Sequence, residues 1–254
     1  MKILIIFICV LISIILYKKY NDIYDENYIN EPYITVYADM GLSNKLEVLL
    51  SYLSKANKEG KKLRILWVKN EHCPDDFKNL FEPILNVDII YTYAENDYNT
   101  FLRLNSDFES EKLAKFLKPK KEIQDNIDKM IAILQENNKD YISCHIRRTD
   151  GINPTPDNDF INFINKYPTN LKIYVATDCR ITQEKYIKLY GDRLVYKKIE
   201  ENNNFRQTSL QDAVVDMYVA AGAKYFKRSY GTYSNMILNL RRLNPLFNES
   251  TLAD

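Results

Sequence analysis

The sequence predicts an α/β protein made of two parallel-sheet domains that face one another across a cleft. Short apolar strands alternate with amphipathic helices from Tyr33 to Leu243, the pattern of parallel strands joined by helical crossovers. The alternation falls into two sets, Tyr33 to about Asn137 and about Lys139 to Leu243, and each set is enough for one Rossmann-like unit. Charged and small residues collect at strand ends, the edge where open parallel sheets bind ligands. One continuous sheet is the alternative.

The chain opens on a leader. Ile3 to Tyr17 is an apolar run interrupted by Ser13, with Lys2 before it and Lys18 and Lys19 after it. It is short against the ~20 apolar residues that cross a bilayer core. It is long for a signal-peptide core, and no small-x-small cleavage site follows. We read it as an uncleaved single-pass anchor, with a removed signal peptide and a secreted product as the rival. Lysines on both sides specify its orientation weakly. On a lumenal face, Asn248-Glu249-Ser250 is a glycosylation acceptor, which would suit the secretory pathway or a Golgi-like lumen. The expected organisation is an anchor over 1–19, a polar tether over 20–32 ending at Pro32, and domains over 33–138 and 139–254.

Tyr33 to Ala38 alternates β-branched and aromatic residues and reads as a strand. The turn from Asp39 to Asn44 follows, with Ser43 or Asn44 placed to cap a helix. That helix carries Leu46, Leu49, Leu50 and Leu53 on one face and ends at Gly60. Leu63 to Val68 and Val87 to Tyr93 are further strands, with a short helix over Pro74 to Phe81 between them. A loop and a helix around Glu111 to Phe116 lead to Pro119. Glu122 to Asn137 is amphipathic, with Ile123, Ile127, Met130, Ile131 and Leu134 on one face. It feeds the strand at Tyr141 to Ile146, whose end carries His145, Arg147, Arg148 and Asp150. After Pro154 and Pro156 the pattern resumes. Asp157 caps a helix to about Lys166, and Leu171 to Thr177 is a strand with Asp178 at its tip. A helix over Ile181 to Tyr190, a strand over Leu194 to Lys198 and a helix from Ser209 to Gly222 follow. Ser209 and Asp212 form a capping-type pair. Tyr225 to Arg228 is a strand, Gly231 to Ser234 a turn, and Asn235 to Leu243 the last helix.

The totals narrow the function. A formal net charge of +1 over 254 residues makes no case for a nucleic-acid partner. The four cysteines form no C-x-x-C pair, so a zinc site is not expected. Neither a G-x-G-x-x-G fingerprint nor a G-x-x-x-x-G-K-S/T loop is present.

In the second half, His145/Arg147/Arg148/Asp150, Asp178 and the Ser229 to Ser234 turn all fall at strand ends, and a parallel sheet brings such tips to one edge. Two arginines suit a diphosphate, because the guanidinium fork matches phosphate oxygens and stays charged. The turn Gly231-Thr232-Tyr233-Ser234 opens a helix, so its N–H groups can face an anion. Asp216 reads either as an acceptor for the N–H groups of a guanine base or as a solvent-facing helix residue. Asp178 reads either as a helix N-cap or as a site carboxylate. Together the residues describe a nucleotide-diphosphate site.

His145-Ile146-Arg147-Arg148-Thr149-Asp150 after an apolar strand resembles the H-x-R-R-x-D motif of the superfamily of α1,6-, α1,2-, nodulation and protein O-fucosyltransferases. Gly41 to Leu46 resembles their G-L-G-N-R-L turn, and Val175-Ala176-Thr177-Asp178 resembles their A-T-D strand end. Ser209 to Asp216 with Gly231 to Ser234 resembles their third motif. The resemblance covers roughly Tyr33 to Asn244. It implies a GT-B fold, GDP-fucose as donor, a glycan or protein hydroxyl as acceptor, inversion at the anomeric carbon, and no required metal or other cofactor. Carried over, Arg147 binds the β-phosphate and His145 and Asp216 hold the guanine. Thr232 stands at the phosphate-facing Ser/Thr position, and Gly41 and Asn44 border the donor from the first domain. The resemblance transfers no acceptor base, because Gly151 and Thr155 stand where α1,6-fucosyltransferases carry Lys and Glu. Asp157, Asp159 and Asp39 are the candidates. Another nucleotide sugar, a non-catalytic nucleotide- or sugar-binding relative and a peripheral membrane structural protein are the competing readings.

Overall fold

A computed structural model describes residues 33–91, 112–149, 154–200, 206–243 and the two-residue strand Leu252–Ala253. The leader, the tether, Asp150, Gly151 and the Asn248 triplet lie outside these residues. No helix among the described residues is long and apolar enough to cross a membrane.

The first half is a three-stranded parallel sheet in the order β1-β2-β3, formed by Tyr33–Ala38, Lys62–Trp67 and Val87–Ile90. Its helix α1, Leu42–Glu59, buries Leu42, Leu46, Leu49, Leu50, Leu53 and Ala56. Gly60, at φ 65°, ends it in a left-handed turn, and the Lys61 N–H closes on the Ala56 carbonyl at 2.9 Å. Neither Ser43 nor Asn44 caps α1, because the helix already begins at Leu42. A short helix α2, Phe77–Leu80, precedes β3, and a 3₁₀ turn, Leu113–Phe116, leads into helix α3, Lys121–Leu134.

The second half is a five-stranded parallel sheet in the order β6-β5-β4-β7-β8. Its strands are Ile142–Ile146, Ile173–Thr177, Leu194–Val195, Tyr225–Lys227 and Leu252–Ala253, numbered β4 to β8 along the chain. The helices between them are α4, Asp157–Asn165, α5, Arg180–Tyr190, α6, Leu210–Gly222, and α7, Thr232–Arg242. The chain enters at the centre on β4, builds outward through β5 and β6, then crosses back to β7. The strand order therefore reverses between β4 and β7, and loops leaving those two strands diverge to opposite faces and open a crevice.

Strands β4 and β5 are buried along their whole length, as central parallel strands must be. Their side chains alternate between two cores. Ile142, Cys144, Ile146, Ile173 and Val175 pack with Phe160, Phe163 and Tyr186 of α4 and α5. The opposite face carries Tyr141, Ser143, His145 and Tyr174 toward α6 and α7. There the Tyr141 hydroxyl donates to the Val219 carbonyl at 2.6 Å and the Ser143 hydroxyl to Ala220 at 3.0 Å. A row of polar groups on a buried strand face is thus spent on the helix above it. Helix α3, placed with the first half by the sequence, packs against α6. Phe81 and Pro119, just ahead of α3, pair across a β-bridge.

Ser209 caps α6 and accepts the Asp212 N–H at 3.0 Å. Ser209→Ala is expected to cost about 1 kcal/mol, read from the urea midpoint at unchanged slope.

Candidate active site

The crevice between β4 and β7 gathers the residues at both tips. His145 is 6% exposed, and its Nδ1 lies 2.7 Å from the Ser234 hydroxyl and 3.2 Å from that of Ser229. Its ring packs on Tyr233, with centroids 4.6 Å apart. The Tyr233 and Ser234 contacts come from the first turn of α7, and that of Ser229 from the loop before it. They account for a helix that begins at Thr232, three residues earlier than the sequence suggests, because Tyr233 and Ser234 are held by tertiary partners. His145 therefore joins the two strand tips.

Arg147 continues from this anchor. Its backbone N–H meets the Ser229 hydroxyl at 3.2 Å, and its half-buried side chain lies over Gly231. A Cβ on Gly231 would sit 2.5 Å from Arg147 Nη1. Gly231 holds φ 128° and ψ 170°, a region that only glycine adopts readily, and it supplies no side-chain cap to α7. The guanidinium and the uncapped amino end of an eleven-residue helix are thus placed together. Two positive ends in one crevice favour an anion between them.

The two arginines are divided. Arg148 turns away from the crevice, forms a 2.5 Å ion pair with Asp157, and lies over the Phe160 ring at 5.9 Å. The guanidinium expected at a phosphate is thus found on the α4 side of the sheet instead. Lys185 also reaches Asp157, at 2.5 Å. Burial alone would raise the Asp157 pKa, but the bonds from Lys185 and Arg148 outweigh it and hold the carboxyl below its ordinary value. A carboxylate so pinned is a weak base, which corrects its expected catalytic role. Asp159 is exposed in the first turn of α4. Asp178 neither caps α5, whose N-cap is Cys179, nor faces the crevice as a free carboxylate. It accepts from Arg148 N at 2.9 Å and from the Thr149 hydroxyl at 2.5 Å, and so staples the loop after β4.

Asp216 is half-buried on α6, where the Tyr174 hydroxyl donates to its Oδ1. Burial pushes its carboxyl up to about 7, against the opposing effect of the Tyr174 bond; Asp212 and Asp178 add to the rise. Between the unfolded carboxylate pKa near 4 and about 7, the folded chain holds a proton that the unfolded chain has released, so stability falls as pH rises through that window. Asp216→Asn should flatten this slope and stabilise the protein at pH 8 by roughly 1–3 kcal/mol, allowing for partial exposure. Urea titrations at pH 5 and pH 8 check it.

From the first half, buried Gly41 meets Arg206, and a Cβ there would lie 3.0 Å from Arg206 Nη1. Arg206 also acts on Tyr233 electrostatically, so it stands between the two halves. Asn44 is half-buried in the first turn of α1, and Thr232 in that of α7. Lys45 is buried and donates to the carbonyls of Ala38 and Val68, which ties the tips of β1 and β2. Sequence reading missed Tyr174, Arg206 and Lys45. Tyr174 could have been found from its place on the His145 face of the sheet, and Lys45 from its place at the Arg position of the turn that resembles G-L-G-N-R-L; Arg206 carries no local signal.

A groove of about 830 Å³ lies at the other end of α6 and α7, against Lys118, Tyr218 and Leu243. It lacks the converging groups of the crevice. Among the described residues no group of three or more His, Cys, Asp or Glu side chains could hold a metal ion.

No protein-family model and no curated protein matches the sequence. Solved structures match the fold. The NodZ α-1,6-fucosyltransferase co-crystallised with GDP superposes with a TM-score of 0.61 at 17% identity, over 82% of this chain and 92% of that one. Fucosyltransferase NodZ from Bradyrhizobium gives 0.60 at 16% identity, over 82% and 92%. POFUT1 in complex with GDP-fucose gives 0.59 at 10% identity, over 85% and 97%. At these identities the likeness establishes a shared fold.

Proposed function

We propose that this chain is an inverting, metal-independent GT-B glycosyltransferase that moves fucose from GDP-fucose to a glycan or protein hydroxyl. One observation carries the reading: Arg147 lies over Gly231 at the amino end of α7, in the crevice where the sheet reverses its strand order. Breaking a sugar–diphosphate bond leaves negative charge growing on the β-phosphate. A fixed guanidinium and uncapped helix N–H groups stabilise that charge without reorganising. The same chemistry is available without a metal. The likeness to fucosyltransferases that bind GDP or GDP-fucose supports guanine as the base and fucose as the sugar.

In this reading residues 139–254 hold the donor and 33–138 the acceptor side, with α3 packed on the donor half. Asp216 accepts from the guanine N–H groups, which requires its ionised form. GDP affinity should then rise with pH through about 7, the value to which burial lifts Asp216. Calorimetry at pH 6 and pH 8 would show it, and Asp216→Asn should remove the dependence. The apolar leader 3–17 is the basis for reading the protein as membrane-anchored, with a secreted product as the rival.

The deciding experiment incubates the full-length protein with a panel of nucleotide sugars in EDTA and measures GDP release and thermal shift. A GDP-induced shift and release from GDP-fucose are expected. No shift with GDP would sink the donor assignment. Release from a different sugar nucleotide would change the sugar and keep the site.

A further inference from the structure

We propose that Asp39 is the base that takes the proton from the acceptor hydroxyl. The proposal rests on the sugar-transfer reading above and deepens it, since in a transfer with inversion the acceptor hydroxyl attacks opposite the leaving phosphate and must shed its proton on that side.

Asp39 follows the last residue of β1, at the carboxyl edge of the first sheet. Two residues later Gly41 touches Arg206, and Arg206 acts on Tyr233 in the first turn of α7. The β1 tip is thereby placed opposite the tip that carries Arg147. Asp39 is exposed, so an acceptor can reach it.

Its orientation is fixed by Asn70. The Asn70 Oδ1 accepts two backbone N–H groups, from His72 at 2.9 Å and Cys73 at 2.8 Å. Those two bonds decide which end of the amide is the donor. Nδ2 then donates to Asp39 Oδ1 at 2.7 Å and to the Met40 carbonyl at 3.2 Å. Met40 holds φ 68°, unusual for a residue with a side chain, in the turn that this amide clamps. Asn70 is therefore a positioning residue for one carboxylate oxygen. Among the described residues no hydrogen bond is made to the other, Oδ2. The nearby cation, Lys45, is spent on the Ala38 and Val68 carbonyls.

Three other carboxylates are committed elsewhere: Asp157 to Arg148 and Lys185, Asp178 to the loop after β4, and Asp216 to Tyr174; Asp159 stands exposed on α4, in the donor half. In the step itself, Asp39 Oδ2 takes the acceptor O–H proton and the acceptor oxygen bonds to the anomeric carbon. The bond from that carbon to the β-phosphate oxygen breaks, and its electron pair stays on the phosphate beside Arg147. The proton leaves Asp39 to solvent.

Asp39→Asn tests the assignment on the full-length protein, with water and azide as nucleophiles on GDP-fucose. Azide is already an anion and has no proton to give. The variant should keep the GDP thermal shift and lose GDP release in water by about 10²-fold. Azide should restore its release far more than it raises that of the unmodified protein. Near-normal release in water by Asp39→Asn overturns the base assignment, and so does equal loss with azide and water. An unmodified protein that shifts with GDP but releases it with neither nucleophile also overturns the base and leaves the nucleotide site standing. No GDP shift in the unmodified protein overturns the reading beneath it.

Discussion

Replacing Arg147 by alanine should slow GDP release from GDP-fucose by roughly 10²–10³-fold, about 3–4 kcal/mol of transition-state stabilisation. The size follows from placement. Arg147 is half-buried over Gly231, its backbone is held by Ser229, and Arg148 beside it is already matched by Asp157. Arg148, the adjacent cation, is thus held away from the growing charge. Arg147→Lys should recover only part of the loss, because an ammonium lacks the fork that spans two phosphate oxygens. Initial rates decide the matter, with the melting temperature as a control for folding. A variant within about threefold of the starting rate would remove Arg147 from the phosphate.

Gly231→Ala should do comparable damage without touching a charge. A Cβ there meets Arg147 Nη1 at 2.5 Å, and φ 128° with ψ 170° is strained for any side chain. The strain should cost about 1–3 kcal/mol of stability. The displaced guanidinium should lower GDP release by roughly 10²-fold. Both variants remove the same arginine from the same place. The double variant Arg147→Ala/Gly231→Ala should therefore lose much less activity than the two single losses combined. Full additivity, measured from GDP release rates, would separate Gly231 from Arg147.

The crevice also explains why polar residues are tolerated on buried strands. Tyr141, Ser143 and His145 lie on one face of β4 and meet carbonyls of α6 or hydroxyls of the β7 loop and α7. Each hydrogen bond offsets the burial of its polar group. The row also fixes α6 and α7 against the sheet, and those helices carry Asp216 and the amino end that faces Arg147.

The alternation of strands and helices, the amphipathic face of α3, the Ser209 cap and the strand tips that gather polar residues were all legible in the chain. They are local facts: period two marks a strand's faces, period 3.6 a helix's stripe, and glycine or proline the stops. What the chain did not carry was the choice of partners. Arg147 and Arg148 are neighbours in sequence, yet Gly231 receives one and Asp157 the other. His145 finds Ser234 across 89 residues, Asp216 finds Tyr174 across 42, and Asn70 finds Asp39 across 31. A periodic pattern states which face a side chain occupies, and only the packing of sheet on helix decides what stands opposite it. By itself the sequence determined two α/β halves and the strand ends at which polar residues gather. The tertiary structure decided which arginine lies over Gly231, and which carboxylate Asn70 holds at the tip of β1.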